Sequence, residues 1–489
     1  MMTEALPDSG ALPAREKLLT RISDFFRSPA VKLVGLLIIG FMLMIPIALV
    51  WALVYERDHR SSSVIREIGQ QWGAPQRLSG PYLILPYKVE IAGTKTVEVI
   101  AGTEERPVVI HKEEPDIREE IRHAVFAPQL LRINGDVETS VRERSIYKAT
   151  VYTADLAVNG RFAPIIAIDT EEKVVGIDWD KMQLTVGIAG LSGIENAELR
   201  LDSGDAVRLE PGAGSMRGLD IAAVHSPALA RSAAEAANGL DFELDLRLRG
   251  SESLMVAPAG RLTEVDIRSP WPHPGSTGRF LPGEREIGDA GFSAKWSVSH
   301  LARPLPSQWI MGDKRVSGIS GHDFGVRFVT PVDFYSLVDR ALKYGLMFIG
   351  IVFAIVFAME MATGARVHGV QYLLVGLMMI MFFLLLLAFA EHIGFTRAYL
   401  IASAATGGVL TVYVGLVFGG RLRALIAAAS FTLLYAVLYL ILQLEDYALV
   451  AGACLGFAML TAVLFGTRRL DWSAVRSVTS DPAAPATAG

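Results

Sequence analysis

Cysteine is almost missing from this chain, with one residue, Cys454, among 489. A lone thiol excludes an internal disulfide framework and any metal site built on several cysteines, though not an oxidising compartment. Charge is scarce as well: Asp, Glu, Lys and Arg together make up 20% of residues, and the net charge is -5 at neutral pH. Without a basic excess there is no dense Lys/Arg surface to neutralise phosphates, so nucleic acid is excluded as a partner. The motifs of hydrolysis and nucleotide chemistry are missing too, with no G-x-S-x-G elbow, H-E-x-x-H, Walker A loop or C-x-x-C. No catalytic residue, metal or cofactor is therefore expected.

Apolar residues, by contrast, make up 51% of the chain, too many for an ordinary soluble protein, and they come in long runs. Residues 33–54 form an almost unbroken apolar segment, which at about 1.5 Å per residue crosses a hydrocarbon core of about 30 Å. Arg15, Lys17, Arg21, Arg27 and Lys32 precede it as in a signal sequence, but no small-x-small cleavage site closes it. It reads as an uncleaved anchor kinked near Pro46. Five more runs follow at 344–361, 370–390, 398–418, 424–442 and 447–466, which predicts six spans.

The loops between these five runs alternate in charge. Arg366 lies in the first, Arg397 in the second, Arg421 and Arg423 in the third, Glu445 and Asp446 in the fourth, and Arg468 and Arg469 follow the last run. The positive-inside rule then places both termini in the cytoplasm and residues 56–343 on the outer side. Trp51, Tyr55, Tyr344, Tyr399 and Tyr447 all fall at predicted outer ends, where amphipathic rings suit the interface.

Within 56–343 acidic side chains outnumber basic ones, so no basic face is offered to anionic lipid. Val64, Ile65, Ile68 and Trp72 recur at helical spacing, which predicts an amphipathic continuation of the first span over 56–72. Beyond Gly73 the period changes to two. Residues 82–91, 96–100, 149–158, 183–188, 242–248 and 262–267 read as antiparallel strands, 202–218 and 269–283 as loops, and 231–238 as one short helix. One or two packed, sandwich-like sheets are expected.

Candidate chemistry is sparse. Gly212, Gly214 and Gly218 suit a flexible turn better than a phosphate loop, because no buried strand leads into them. His273, in Trp271-Pro272-His273-Pro274, reads either as a ligand or, more simply, as part of a rigid corner set by the prolines; with Phe280 the stretch forms a candidate external surface. Asp155, Asp178 and Asp180 read as solvated carboxylates at strand edges.

Ionisable groups inside a bilayer cost about 3 kcal/mol at mid-depth, and here they stand near span ends. Glu391 and His392 finish the third span, and Glu445 and Asp446 occupy the loop between the fifth and sixth, on the same predicted face. Together the four would be able to bind a cation, shuttle a proton or anchor the external domain; the plain alternative is interfacial residues facing water. Glu360 and His368 flank the inner end of the second span, where the plain reading is again preferred to a functional one, and Tyr413, Tyr435 and Tyr439 suit packing and interhelical hydrogen bonds, with a substrate path as the lesser alternative.

Several blocks in order carry a family resemblance. They run from Ile65-Arg66-Glu67-Ile68, Trp72-Gly73 and Gly80-Pro81-Tyr82 through Ile146-Tyr147, Trp271-Pro272-His273-Pro274 and Phe280-Leu281-Pro282 to Leu301-Ala302-Arg303. They continue with Phe324-Gly325-Val326, Pro331-Val332-Asp333, Gln371-Tyr372-Leu373, Glu391-His392, Glu445-Asp446-Tyr447 and Asp471-Trp472. The sequence resembles the CreD family of bacterial inner-membrane proteins from about residue 56 to 472. Gly369 departs from the pattern, where a proline is expected, as do Ser145 and Gly275-Ser276. The resemblance implies envelope maintenance in Gram-negative bacteria, linked to the CreBC two-component system, and implies no catalytic residue.

The expectation is thus an α+β membrane protein without enzymatic activity. It comprises a cytoplasmic tail (1–32), an N-terminal transmembrane helix (33–55), a large periplasmic β-rich domain (56–343), a C-terminal bundle of five transmembrane helices (344–466) and a cytoplasmic tail (467–489). Its expected partners are the lipid bilayer and other envelope proteins. Two rivals are an ion or small-solute transporter using Glu391, His392, Glu445 and Asp446, and a membrane enzyme acting on outer-leaflet lipid or cell-wall precursors with Glu391 or Asp446 as base. Against the first, coupled carriers place their sites near the midplane.

Overall fold

Helix α1 (Pro29–Trp72) carries the first apolar run and continues past Pro46 as one helix through the predicted amphipathic extension. The computed structural model describes residues 29–103, 106–202, 204–216, 222–303, 305–313, 321–328, 334–365, 367–444 and 447–468. Two compact units result, one of Met1–Arg60 with Val332–Gly489 and one of Ser61–Pro331.

The second unit is built of strands. In chain order these are β1 (Gln76–Thr103), β2 (Arg106–Phe126), β3 (Leu130–Arg144), β4 (Tyr147–Phe162), β5 (Lys173–Ile177), β6 (Gln183–Ile188), β7 (Ile194–Leu201), β8 (Ala206–Arg208), β9 (Glu210–Pro211) and β10 (Ala223–His225). After the short helix α2 (Ala233–Ala236) come β11 (Leu240–Ser251), β12 (Ser253–Ala257), β13 (Leu262–Ser269), β14 (Pro274–Gly278), β15 (Glu284–Gly288), β16 (Gly291–Ser299), β17 (Gln308–Ile310) and β18 (Phe324–Phe328). A 10-stranded sheet runs β14-β18-β12-β1-β6-β10-β9, with β2 and β5 also on β1 and β17 on β2; an 8-stranded sheet runs β15-β16-β13-β3-β4-β11-β7-β8.

Period-two patterning decides which face turns inward. In β11, Leu240, Phe242, Leu244, Leu246 and Leu248 are buried while Asp241, Glu243 and Arg247 stay exposed. Their buried face shares one core with the other sheet, where Leu83, Ile84 and Val326 lie. Across the interface Tyr152 of β4 meets Phe328 of β18 at 4.9 Å, and Trp296 of β16 meets Phe324 at 5.6 Å between ring centroids. The two sheets therefore form a sandwich.

Local details differ from the sequence reading. Two pairings are parallel, β1 with β12 and β3 with β13, where antiparallel strands alone are expected. Strand β1 runs straight through Ala92 to Lys95, because β2 pairs with every residue of that stretch and satisfies the backbone that a turn would have served. The expected loop at 202–218 contains β8 and β9, and that at 269–283 contains β14, an edge strand that tolerates Pro274 at its first position. The expected helix at 231–238 shrinks to α2, started by a reciprocal capping box between Ser232 and Glu235.

The end of α1 is fastened within this unit. Trp72 lies between the guanidinium groups of Arg142 and Arg249, 4.2 and 4.7 Å from its ring, and its indole N–H donates to the Tyr152 carbonyl at 3.2 Å. A side chain at Gly73 would stand 2.4 Å from the Arg249 carbonyl, so only glycine permits this approach. Gln76 follows, buried, its side-chain amide donating to the carbonyls of Arg249 (2.8 Å) and Gly190 (3.2 Å).

The first unit is helical, with α3 (Phe334–Thr363), α4 (Gly369–Ile393), α5 (Phe395–Phe418), α6 (Arg421–Gln443) and α7 (Ala448–Thr467) beside the apolar part of α1. Five described helices, α1 and α3 to α6, are long and apolar enough to cross a membrane, and α7 has a shorter apolar stretch at Val450–Thr461. Helix α3 begins at Phe334, ahead of the expected 344, because Asp339, Arg340 and Lys343 disguise its first turns; Asp339 and Lys343 pair at 2.7 Å. Gly394, at φ 81°, turns the chain from α4 into α5. The core is aromatic, with Phe382 against Tyr399 (5.4 Å) and Tyr435 (4.9 Å).

Candidate functional site

Two carboxylates inside the helical unit each tie together side chains of three helices. Glu360 does not face water as the plain reading expects: it is 7% exposed on α3, and its burial is balanced by an ion pair with Lys32 of α1. Its other contacts are the Tyr372 hydroxyl of α4, donating at 2.9 Å, and the Val367 backbone N–H, donating at 3.1 Å. Lys32 also donates to the Val367 carbonyl at 2.9 Å. Beside it, His368 caps α4: its ring accepts from the Val370 N–H at 3.3 Å, and its own N–H reaches Gln371 at 2.8 Å. Gly369 occupies the first helical position, where proline would also fit.

Toward the other end of α1, Glu391 accepts a hydrogen bond from the buried Tyr335 hydroxyl at 3.2 Å and faces Arg57 of α1 at 3.9 Å. Trp51 donates from its indole to Asp339 at 2.8 Å. His392 is exposed. Glu445 and Asp446 lie outside the described residues, as do Arg366, Gly218, residues 1–28 and residues 469–489.

Hydroxyls join the remaining helices. Thr406 and Tyr435 meet at 2.8 Å, Tyr399 donates to the Tyr435 carbonyl at 2.7 Å, and Thr396 and Tyr439 meet at 3.3 Å. Between α1, α3 and α7 an apolar groove of about 1070 Å³ opens, with Leu37, Phe41, Phe353, Met361 and Met459 among its walls.

In the strand unit the surface proposed around Trp271 is largely packing. Trp271 and Phe280 rest against the core, the Phe280 carbonyl accepts from the Trp296 indole at 3.2 Å, and His273 is exposed with its ring 6.5 Å from that of Trp271. Asp155 pairs with Arg247 at 3.5 Å, and Asp178 with Lys181 at 2.8 Å, which holds the Asp178 carboxyl below its usual range. A buried polar group lies elsewhere in this unit. Arg77 pairs with Asp323 at 2.8 Å, and buried Arg303 donates to the carbonyls of Ala259 and Gly260, both at 2.6 Å. Burial pushes the Asp323 carboxyl up despite Arg77, and pushes the Arg303 guanidinium down.

No group of three or more His, Cys, Asp or Glu side chains able to hold a metal occurs among the described residues. Lys32, Arg57, Tyr335 and Tyr372 escape the sequence reading as site residues. The available signal was Glu360 itself, since a carboxylate inside an apolar helix calls for a cation at the same depth.

Among solved structures, an M1 zinc metallopeptidase from Deinococcus radiodurans aligns at 9% identity over 70% of this chain and 94% of that one, with a TM-score of 0.19, too low to carry any argument. Sequence relationships are firmer. The chain is 32% identical to Inner membrane protein CreD of Escherichia coli (strain K12) over 435 residues, 88% of this chain and 91% of that protein. With the family model for Inner membrane protein CreD also matching residues 28–473, the chain belongs to the CreD family.

Proposed function

We propose that this chain supports cell-envelope integrity without catalysing a reaction, as a fixed inner-membrane element with its strand unit in the periplasm and both termini in the cytoplasm. The orientation rests on the Lys/Arg content of the short loops. The link to envelope maintenance and to the CreBC response rests on family membership.

One observation carries the non-enzymatic reading: the embedded carboxylates are committed to neighbours. Glu360 is taken up by Lys32, Tyr372 and Val367, and Glu391 by Tyr335 and Arg57. A general base or a transport site needs a group within reach of its substrate, whereas these two act as fasteners between α1 and the other helices. In this reading Glu391, His392, Glu445 and Asp446 form the polar periplasmic rim of the bundle, and the exposed ring of His273, with Trp271 and Phe280 beneath, marks a surface toward other envelope proteins. The bilayer is the other partner.

Complementation of a deletion strain tests the proposal. Glu391→Gln and Glu360→Gln, produced at normal level, should reduce envelope resistance to detergent in proportion to their loss of stability. Full loss of resistance from a variant as stable as the wild type would instead indicate a chemical or transport role for that carboxylate.

A further inference from the structure

Helix α1 is attached to its neighbours on one side only. Leu43 is 1% exposed and rests where a side chain on Gly376 of α4 would stand, 2.2 Å from it. Phe41, 73% exposed, and Met44 look the other way, into the groove shared with α3 and α7. Across it, Gly350, Ala354 and Ala358 recur every fourth residue along α3. Small residues at that spacing usually let two helices close on each other. Here they do not: a side chain at Gly40 would meet nothing within 4 Å, and one at Gly350 only Met459, at 3.4 Å.

We propose that this groove holds an acyl chain of a phospholipid from the leaflet on the Lys32 side, with the lipid phosphate at the Lys32 ammonium. Two of the three helices that line the groove, α1 and α3, are long and apolar enough to cross a membrane, and the third contributes an apolar stretch, so hydrocarbon rather than water suits its surroundings. Only its α1 wall is about one leaflet deep, while the α3 wall runs further. Residues 33–44 of α1 cover about 16 Å and 346–362 of α3 about 24 Å, against about 15 Å for half of a hydrocarbon core. Charge sets the direction. Lys32 directly precedes the first lining residue, its side chain is 29% exposed, and Glu360 and Val367 engage two of its three donors. The remaining N–H suits a phosphate oxygen at the membrane surface, and the ammonium stays charge-balanced.

The test uses the full chain in nanodiscs containing phosphatidylglycerol with a diazirine in its acyl chain, with adducts located by peptide mass spectrometry. Adducts should concentrate on Phe41, Met44 and Met459. The pair Gly350→Leu with Ala354→Leu should cut them roughly tenfold, the factor that corresponds to about 1.4 kcal/mol. Should that pair prevent folding, Ala358→Leu alone provides the same reading nearer the Lys32 end. Lys32→Gln should lower labelling by the phosphatidylglycerol probe more than labelling by a phosphatidylcholine probe. Adducts spread equally over the exposed Leu416 of α5 and Leu433 of α6 would mean ordinary boundary lipid and overturn the proposal, as would adducts unchanged by filling the groove.

Discussion

Lys32 and Glu360, 328 positions apart, form an ion pair in which the carboxylate is buried and the ammonium is partly open to the surroundings. Removing one partner strands the other, so Glu360→Gln should destabilise the helical unit by about 3 kcal/mol. Replacing both, Lys32→Met with Glu360→Leu, should recover most of that loss, giving clear non-additivity in thermal unfolding of the detergent-purified chain. Equal and additive losses would reduce the pair to two independent contacts.

Gly376 offers a second test of how α1 is seated. With Leu43 at 2.2 Å from its missing Cβ, Gly376→Ala should cost about 1–2 kcal/mol by overpacking. In a Leu43→Ala background the same change should be nearly silent, because the clash has gone. A penalty unchanged in that background would place the strain on Phe353, at 3.2 Å, instead.

Trp72 serves the strand unit in the same fashion. Trp72→Phe keeps an aromatic ring but loses the indole donor and part of the cation–π attraction to Arg142 and Arg249, a loss of about 1–3 kcal/mol. Urea titrations of wild type and variant give the difference directly. A neutral outcome would show that Gly73 and Gln76 alone hold the end of α1.

A pH dependence follows from Asp323. Burial raises its carboxyl above the usual 3.8, so the folded protein holds that proton more tightly than the unfolded chain. The group therefore contributes stability below its unfolded value, and that contribution disappears as pH rises through the raised folded value. Asp323→Asn should gain on the wild type as pH climbs from about 4, irrespective of any constant offset from the unpaired Arg77. A stability difference flat across acid pH would remove Asp323 from the balance.

Membrane orientation is open to reporter fusions. Alkaline phosphatase should be active when fused near Gly160 and inactive at Gly364 and Gly420. Activity at Gly364 would reverse the proposed arrangement.

Much of the architecture is legible in the sequence because hydrophobic periodicity is a local signal. The runs beginning at Leu33, Val370 and Ala398 become α1, α4 and α5, and the alternation in 242–248 becomes β11. Trp72-Gly73 proves to be the fastening of α1. What stays hidden depends on distant partners. Nothing near Leu254 tells that β12 will lie parallel to β1, and Ala92-Gly93-Thr94 resembles a turn until β2 pairs across it. The candidate site is less legible still. Glu391 is noticeable at a span end, but its partners Tyr335 and Arg57 come from two other helices, and Lys32 looks like a topogenic charge before it is seen to balance Glu360.

Gln76 and the Arg249 carbonyl it holds are separated by 173 positions. A ribosome adding about 5–20 residues per second needs roughly 9 to 35 s to cover that distance. Until Arg249 emerges the buried amide at the beginning of β1 has Gly190 as its one available carbonyl partner of the two, and Trp72 has at most one of its two arginines. The strand unit therefore cannot close progressively from its N-terminus; it must keep an unfinished seam while β2 to β10 are translated, and seal it when β11 arrives. Nascent chains ending before Arg249 should be open to protease at the junction of α1 and β1, and chains extended through β12 should resist it.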